Sequence, residues 1–281
     1  MKIIIHLSDL HFGKNKPALE IPLLDMIKSR LPDLIIVSGD ITQRATIEQF
    51  EQARKFFSLL PCPIIAVPGN HDIPSFLKIR SRFSHPYKNY NKYISKITEP
   101  LYIDNELAII GINSVRPSKL IEGRLNTQQL LQVQKGFSEL PKKNVKIIVM
   151  HHPINLPLSY PGKILGRARK ALDSFRETGV DLILSGHLHS TLYKYKNAVY
   201  RISRQGPLII HAGTAISSRM RTEPNSFNVI SVNHLHIRVE RYEFKKTTFS
   251  IARTENFGKK SHGWIRVPTP TTDKTSLQGT S

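Results

Sequence analysis

Residues 2–11 read KIIIHLSDLH, an apolar run followed at once by two side chains that can bind a metal ion, Asp9 and His11. The run of isoleucines is typical of a strand that is buried on both faces of a sheet. In an extended segment, residues two apart leave the backbone on the same face, so Asp9 and His11 can reach one ion. The stretch predicts a buried strand with functional residues at its end, where open α/β sheets carry their functional loops.

The following residues repeat this plan, with apolar runs and helix-like stretches in alternation. Further strands are predicted at residues 34–38, 63–67, 107–112, 145–150 and 181–185. Helices are predicted at about residues 17–30, 46–59, 126–138 and 164–178. Later strand candidates without intervening helices lie at residues 191–196, 207–211, 227–233 and 235–243. The order indicates an α/β protein whose later strands close one sheet or build a second.

One large domain, residues 1–250, is expected to hold most of the 281-residue chain. Within it, residues 73–100 combine three prolines with aromatic and basic side chains, which is typical of an insertion or lid. Four aromatic residues there have the spacing of one helix face, namely Phe83, Tyr87, Tyr90 and Tyr93. Such a face packs on the main body or, with its basic neighbours, forms a substrate lid. Residues 251–281 are polar, and we expect a flexible C-terminal tail.

Ligand candidates follow the later strands as well, at Asp40, Asn70, His151, His187 and His189. Gly39 lets the backbone turn tightly, so that the Asp40 carboxylate can point into the same crevice and bridge two cations. Asn70 offers a neutral oxygen ligand beside His71, a group that can carry a proton. Nitrogen and oxygen ligands without thiolate suit manganese, iron, zinc, nickel or cobalt rather than a zinc finger or an iron–sulfur cluster.

Five short motifs, DLH, GD, GNHD, HHP and GHLH, occur in this order over about residues 1–240 and resemble the calcineurin-like metallophosphoesterase superfamily. The resemblance is nearest to bacterial class III cyclic-nucleotide phosphodiesterases. It implies a four-layer αββα sandwich of two mixed β-sheets flanked by helices, with a dinuclear metal site at one end of the sheets. The implied cofactors are two divalent or mixed-valence metal ions, such as Mn²⁺, Fe²⁺/Fe³⁺ or Zn²⁺.

The resemblance also implies roles for individual residues. The first metal would be held by Asp9, His11 and His189, the second by Asn70, His151 and His187, with Asp40 as the bridge. His71 matches the position that hydrogen-bonds the substrate phosphate or protonates the leaving oxygen, and we expect a carboxylate to orient its ring. The phosphoprotein phosphatase branch has an aspartate where Gln43 stands, so that branch is disfavoured. The HHPP motif often seen in the cyclic-nucleotide phosphodiesterase branch reads HHPI here, with Ile154 in place of the second proline.

Other polar residues have two interpretations each. The segment that carries Arg219 and Arg221 resembles a late loop of bacterial members of the superfamily. In the functional interpretation, their guanidinium groups bind the substrate phosphate. In the other interpretation, they are solvated surface arginines. His152 has no motif support as a ligand and is interpreted as a structural histidine. Asp72 is expected to support the ligands or cap a helix.

The formal net charge of +20 would attract a polyanion, which could be nucleic acid, an anionic membrane surface or a small phosphorylated substrate. A proteome of generally basic proteins would explain the charge without any partner. A lone cysteine, Cys62, excludes an intrachain disulfide, and the apolar N-terminal run is too short for a signal peptide or membrane span. We expect a cytoplasmic protein, and the basic charge could in addition hold it at the membrane periphery.

The leading functional hypothesis is hydrolysis of a phosphodiester by a metal-activated hydroxide, with a 3′,5′-cyclic nucleotide or another small nucleotide as substrate. His71 and Asn70 would be the catalytic residues. Two other enzyme activities stay open, a UDP-2,3-diacylglucosamine-type pyrophosphatase at the membrane surface and a nuclease. A catalytically inactive binding module is disfavoured because every ligand position of the motifs is filled. A homodimer is the family-level expectation.

Overall fold

The computed structural model describes residues 1–141, 143–155, 165–189, 200–202, 206–219, 223–261 and 263–268. The strands in this part of the chain are β1 (Lys2–Leu7), β2 (Leu34–Ser38), β3 (Ile64–Val67), β4 (Leu101–Ile103), β5 (Leu107–Ile112), β6 (Gly123–Arg124), β7 (Val145–Met150), β8 (Leu165–Gly166), β9 (Leu182–Ser185), β10 (Tyr200–Ile202), β11 (Leu208–His211), β12 (Ser226–Val232), β13 (His236–Lys245), β14 (Thr248–Lys260) and β15 (Gly263–Val267). The α-helices are α1 (Glu20–Ser29), α2 (Ile47–Phe57), α3 (Ile79–Ser84), α4 (Lys88–Tyr93), α5 (Thr127–Ser138) and α6 (Ala168–Glu177). Short 3-10 turns lie at Pro17–Leu19, Asn70–Asp72 and Phe76–Lys78.

Two mixed sheets form the centre of the molecule. The first has seven strands in the order β15-β14-β13-β12-β1-β2-β3, with β1, β2 and β3 parallel and the later strands antiparallel. The second has six strands in the order β10-β11-β9-β7-β5-β4, with a parallel centre and antiparallel edges. The parallel strands of both sheets end where the predicted ligands follow, so the topology brings the motifs to one region.

Three apolar clusters hold the sheets and the helices together as layers. One lies between the two sheets and contains Ile4 of β1 and Ile147 of β7. A second joins the first sheet to α1, α2 and α4, and a third joins the second sheet to α5 and α6. Adjacent residues of one strand face different clusters, since Ile4 faces the other sheet and Ile5 faces the helices. Burial of both faces accounts for the unbroken apolar runs, and the predicted αββα sandwich is confirmed.

Most predicted elements are present at the expected places. The strands predicted at 2–7, 34–38, 107–112 and 145–150 match the observed bounds, and α5 starts where Asn126 accepts a hydrogen bond from the Gln129 amide. The helix predicted at 164–178 begins later, at Ala168, because residues 165–166 pair with β6. The strand predicted at 191–196 lies outside the described residues.

The predicted flexible tail is wrong for residues 251–267. β14 pairs with β13 along most of its length, and β15 closes the edge of the first sheet. The segment looked polar because few of its residues reach the core, but Phe257 and Trp264 are buried between the sheets. Lys259 Nζ and Trp264 Nε1 both bond Asp181 Oδ1, at 2.6 and 3.2 Å. These contacts join β14 and β15 to the start of β9 in the second sheet. Residues 269–281 lie outside the described residues.

The insertion at residues 73–100 packs on the main body through part of its aromatic face. Tyr90 and Tyr93 are buried in the cluster that contains Phe50 of α2, whereas Phe83 is 55% exposed. Tyr90 Oη donates a hydrogen bond of 2.9 Å to the Ala66 carbonyl. Tyr87 is partly buried against the same cluster, so packing explains three of the four aromatic residues, and the lid remains a prediction. No helix in the described part of the chain has the length and apolar character needed to cross a membrane.

Candidate metal centre

The predicted ligands sit on a sharply turned backbone. Five of them have positive φ angles between 48° and 71°, namely Asp9, His11, Asp40, His187 and His189. Left-handed backbone is sterically unfavourable for side chains other than glycine, although Asp and His adopt it more often than most. The extended backbone assumed for the segment from Asp9 to His11 is therefore wrong. The side chains converge because the chain turns at each strand end.

The first group of converging atoms is formed by Asp9, His11, Asp40 and His189, all of which are buried. His11 Nε2 lies 3.1 Å from His189 Nε2, and Asp9 Oδ1 lies 3.3 Å from the same His189 atom. Ser8 Oγ and the His187 amide both donate to Asp9 Oδ2, at 2.7 and 2.9 Å. These bonds fix the carboxylate and leave Oδ1 directed at the two rings.

The second group comprises Asn70, His151 and His187. His151 Nε2 lies 3.0 Å from His187 Nδ1, and Asn70 Oδ1 lies 3.2 and 3.1 Å from these two nitrogens. Asn70 Nδ2 donates to the Leu120 carbonyl at 3.2 Å, which turns the amide oxygen toward the rings. Three potential ligand atoms from three separate strand ends thus meet at one point.

Asp40 lies between the groups. Its Oδ2 atom is 3.7 Å from His11 Nε2 and 3.3 Å from His151 Nε2, so one carboxylate oxygen faces both sets. Its Oδ1 atom accepts a hydrogen bond of 2.9 Å from the His71 amide. The approach requires two glycines, since Gly39 has a φ of +89° and a Cβ at Gly69 would overlap the Asp40 carboxylate. This placement is the one that a bridging ligand needs.

The hydrogen bonds around the rings fit a pair of metal ions. His151 Nδ1 donates to the Ser38 carbonyl and His189 Nδ1 to the Arg219 carbonyl, both at 2.8 Å, so in the neutral rings each Nε2 presents a lone pair. Asp9 Oδ1 is buried and has no hydrogen-bond donor. Lone pairs that converge in a buried place without donors repel one another unless a cation lies among them. A set of nitrogen and oxygen ligand atoms of this kind suits a divalent transition metal.

The charges of the carboxylates and histidines in the two groups shift one another's pKa values. Burial opposes the charge on Asp9 and Asp40, but the surrounding histidines lower the pKa of both carboxyls well below the usual range. Burial also disfavours charge on His151, yet Asp40 raises its pKa to about 9. Burial and then the His151 charge lower the pKa of His187 to about 3. The carboxylates are ionised at neutral pH, and a bound metal competes with the proton on His151.

His71 stands beside the first group, with its ring centroid 5.0 Å from that of His11. Its Nδ1 donates to the Gln43 carbonyl at 2.8 Å, and its Nε2 accepts from Arg219 Nη1 at 2.8 Å. The expected orienting carboxylate is therefore replaced by the backbone carbonyl of Gln43, in the loop after Asp40. The sequence could not predict this hydrogen bond to His71, since the acceptor is the main-chain carbonyl of residue 43.

Two further residues were hard to assign from the sequence. Asp72 accepts from the backbone amides of Ile41, Thr42 and Gly69 at 2.7 to 3.1 Å, and thus joins the loops that carry Asp40 and Asn70, the supporting role expected for it. His152 lies with His151 and His187 in one cluster, but its Nδ1 is 2.8 Å from Ser114 Oγ. We interpret His152 as packing behind the ligands. Arg221 lies outside the described residues.

Two buried histidines near the centre make stability depend on pH. Burial lowers the pKa of His211 to about 4, and burial followed by the His211 charge lowers that of His6 to about 3, from the ordinary 6.5. The unfolded chain takes up these protons below pH 6.5, whereas the folded protein does so only near pH 3 to 4. The stability contributed by the neutral rings is therefore complete above pH 6.5 and is lost as the pH falls toward 4.

We expect His211→Gln to weaken this dependence. Between pH 7 and pH 5 the metal-free wild type should lose about 1 to 2 kcal/mol more free energy of unfolding than the variant. Urea titrations at several pH values measure the difference, and His234→Gln, at an exposed turn, is the matched control. Equal slopes for wild type and His211→Gln would show that this ring does not titrate as inferred.

Comparisons with known proteins agree with this geometry. A family model described as calcineurin-like phosphoesterase matches residues 3–191. A probable glycerophosphodiester phosphodiesterase from Arcobacter nitrofigilis is 27% identical over 220 residues, which cover 73% of this chain and 78% of that protein. A probable cyclic nucleotide phosphodiesterase from Synechococcus is 32% identical over 169 residues, which cover 58% of this chain and 60% of that protein.

The fold is also found among solved structures. Purple acid phosphatase PPD1 from yellow lupin seeds superposes with a TM-score of 0.63, covering 91% of this chain and 53% of the phosphatase. The two sequences are 12% identical, so this likeness concerns the fold alone.

Proposed function

The chain belongs to the calcineurin-like phosphoesterase family, and from that premise we propose that it hydrolyses a small phosphodiester at a pair of metal ions held by the two ligand groups. It is a metallophosphoesterase, and the family depends on dinuclear metal centres. In the proposed centre Asp9, His11 and His189 hold one ion. Asn70, His151 and His187 hold the other, and Asp40 bridges them.

The observation that supports this most directly is the position of Asp40 Oδ2. The atom lies within 3.7 Å of a nitrogen of each group, so a single carboxylate can serve two ions. Two metals bound there would supply a hydroxide nucleophile at neutral pH and neutralise the charge on the phosphoryl oxygens. The protein's own task is then to hold the substrate, keep the ligands deprotonated and manage the proton of the leaving group.

Arg219 is suited to holding the substrate, and His71 is suited to managing the proton of the leaving group. Their side chains meet at 2.8 Å, with the guanidinium donating to His71 Nε2. A phosphoryl oxygen that enters the site can take the N–H of Arg219 in a charge-assisted hydrogen bond. His71 Nε2 is then free to carry a proton to the leaving oxygen, while Nδ1 stays bonded to the Gln43 carbonyl. Asn70 combines its ligand role with charge stabilisation beside the reacting group.

The substrate class comes from the relatives. A 3′,5′-cyclic nucleotide is our first candidate, supported by the motif pattern and by the relative named as a probable cyclic nucleotide phosphodiesterase. A glycerophosphodiester is the second candidate, because the relative named for that activity matches over more of its own length. Pyrophosphate cleavage of a nucleotide-linked lipid and cleavage of nucleic acid use the same centre and are separated by assay.

We expect metal-dependent hydrolysis of bis(p-nitrophenyl) phosphate that exceeds hydrolysis of the monoester p-nitrophenyl phosphate. After the metal has been stripped, activity should return with Mn²⁺. Asn70→Ala should reduce the diesterase activity by about 100-fold or more, because the variant loses both a ligand oxygen and a stabilising group.

Asn105→Ala, at an exposed turn remote from the ligand groups, is the control for the effect of losing an asparagine. A positive result leads to cyclic nucleotides, glycerophosphodiesters, nucleic acids and nucleotide-linked lipids in turn. Absence of turnover of both esters with every divalent metal tested would contradict the phosphodiesterase proposal.

A further inference from the structure

Residues 73–98, which follow the Asn70–Asp72 turn, have an unusual charge. They contain six lysines and arginines and no aspartate or glutamate. All the residues from 75 to 85 are exposed except Arg82. The segment therefore forms a basic surface that borders the candidate centre.

The same segment directs apolar side chains to solvent. Phe76, Ile79 and Phe83 are spaced three and four residues apart, which places them on one side of the short helical stretch. They are 37%, 63% and 55% exposed, and Leu77 is 92% exposed. An amphipathic helix of a globular protein normally buries this side. Here the apolar side chains face solvent and the one buried side chain of residues 75–85 is the charged Arg82, which we call the inverted orientation.

Arg82 holds the segment in this orientation. Its side chain is 1% exposed, and its guanidinium donates to the carbonyls of Pro74, Pro117 and Lys119. It also lies 4.1 Å from the centroid of the Phe76 ring. The buried guanidinium thus binds three backbone carbonyls and joins α3 to the loop of residues 117–119. The inverted orientation is built into the packing.

The loop of residues 117–121, which accepts hydrogen bonds from Arg82, carries further exposed apolar side chains. Leu120 and Ile121, which follow Lys119, are 62% and 55% exposed. We define the docking face as Phe76, Leu77, Ile79, Phe83, Leu120 and Ile121. The two parts of this face are joined by the hydrogen bond from Arg82 to the Lys119 carbonyl, and grouped exposed apolar side chains mark an interaction surface more often than scattered ones do.

Basic residues border the docking face. A cavity of about 280 Å³ between the segment and the loop after Asp40 is lined by four potentially cationic side chains, Arg44, Lys78, His85 and Lys88. Arg80 is exposed on the same segment. Apolar residues with cations beside them match the boundary of an anionic bilayer, where acyl chains lie next to phosphate groups.

We propose that the docking face binds an anionic membrane surface, with its apolar side chains inserted between the lipids and its basic border at the level of the lipid phosphates. Charge decides against a second copy of the chain as the occupant. An isologous contact would bring two acid-free basic segments together on molecules that each carry a net charge of +20. An anionic bilayer instead gains from every one of these cations.

Docking would place the candidate centre near the lipid surface. The Leu120 carbonyl accepts the hydrogen bond from Asn70 Nδ2, so the docking face is joined directly to the second ligand group. Membrane binding itself depends on the exposed surface and requires no metal or turnover. It is a property beyond the proposed hydrolysis and can be tested separately.

The test is co-sedimentation of the full chain with vesicles. We compare phosphatidylcholine alone with phosphatidylcholine containing about one-third phosphatidylglycerol. The wild type should bind the anionic vesicles, and binding should fall steeply at about 0.5 M NaCl because screening removes the attraction. The double variant Leu77→Ser/Ile79→Ser should bind at least about tenfold more weakly, since two inserted side chains are lost.

The matched control is Ile21→Ser/Leu131→Ser, which removes two exposed apolar side chains from α1 and α5 and should bind as the wild type does. A second variant, Arg80→Glu/Lys88→Glu, should lose salt-sensitive binding while the apolar residues remain. Circular dichroism melting confirms that each variant is folded. Failure of the wild type to sediment with anionic vesicles would overturn the proposal. So would equal binding by the docking-face variant, or a wild-type dimer that the same variant dissociates in the absence of lipid.

Discussion

Asp40→Asn is expected to lower kcat/KM for bis(p-nitrophenyl) phosphate by about a thousandfold or more. The reason is that one carboxylate oxygen faces both ligand groups, at 3.7 and 3.3 Å from His11 Nε2 and His151 Nε2. The amide keeps the shape but removes the negative charge from the position where two cations would meet. A loss of several kcal/mol in metal and transition-state binding corresponds to this factor.

The measurement combines steady-state kinetics with metal analysis of the purified protein. We expect the wild type to approach two metal ions per chain and Asp40→Asn to hold one or fewer. Asp25→Asn, on the exposed side of α1, is the control for a change of one carboxylate. If Asp40→Asn retained both ions and full activity, the bridging role would be wrong.

His71→Ala is expected to have an effect that depends on the leaving group. p-Nitrophenolate leaves without much help, so bis(p-nitrophenyl) phosphate should lose only about tenfold in kcat. A cyclic nucleotide or a glycerophosphodiester expels an alkoxide that must be protonated, and the loss there should be about 100- to 10,000-fold. The physical basis is the position of His71, whose Nδ1 is held by the Gln43 carbonyl and whose Nε2 accepts from Arg219.

This comparison uses whichever alkyl diester the wild type turns over, with pH–rate profiles for both substrates. The variant should also lose one limb of the profile for the alkyl diester. His234→Ala, on the exposed turn between β12 and β13, is the control. An equal loss with both leaving groups would indicate that His71 binds the phosphate and does not transfer a proton.

The predictable part of this protein is its buried part. Ile4 and Ile5 face different apolar clusters, so a strand between two layers must be apolar throughout, and such runs are visible in a sequence. The residues after each strand end were visible for the same reason, because polar ligands stand out where an apolar run stops. The gathering of the ligand set follows from the parallel strand order.

The parts that were missed depend on contacts that leave no mark on residue type. The Gln43 carbonyl orients His71 through the main chain, and any residue at that position offers the same atom. Residues 251–260 of β14 were taken for part of a tail because Phe257 is the residue through which they join an apolar cluster. The inverted orientation of the 76–84 stretch could not be predicted either, since periodicity shows that one side is apolar and not which way that side faces.

The left-handed backbone at five predicted ligands has a consequence for how such a protein can change over time. Each of these residues costs about 1 kcal/mol or more in backbone energy relative to glycine, and the buried like-charged and lone-pair contacts add to that cost. Selection for hydrolysis retains residues that selection for stability alone would replace. A descendant released from catalysis could exchange ligands such as Asp9 for glycine and become more robust by doing so. In this architecture, exchange of the left-handed candidate ligands for glycine would remove the activity and relieve the backbone cost at the same time.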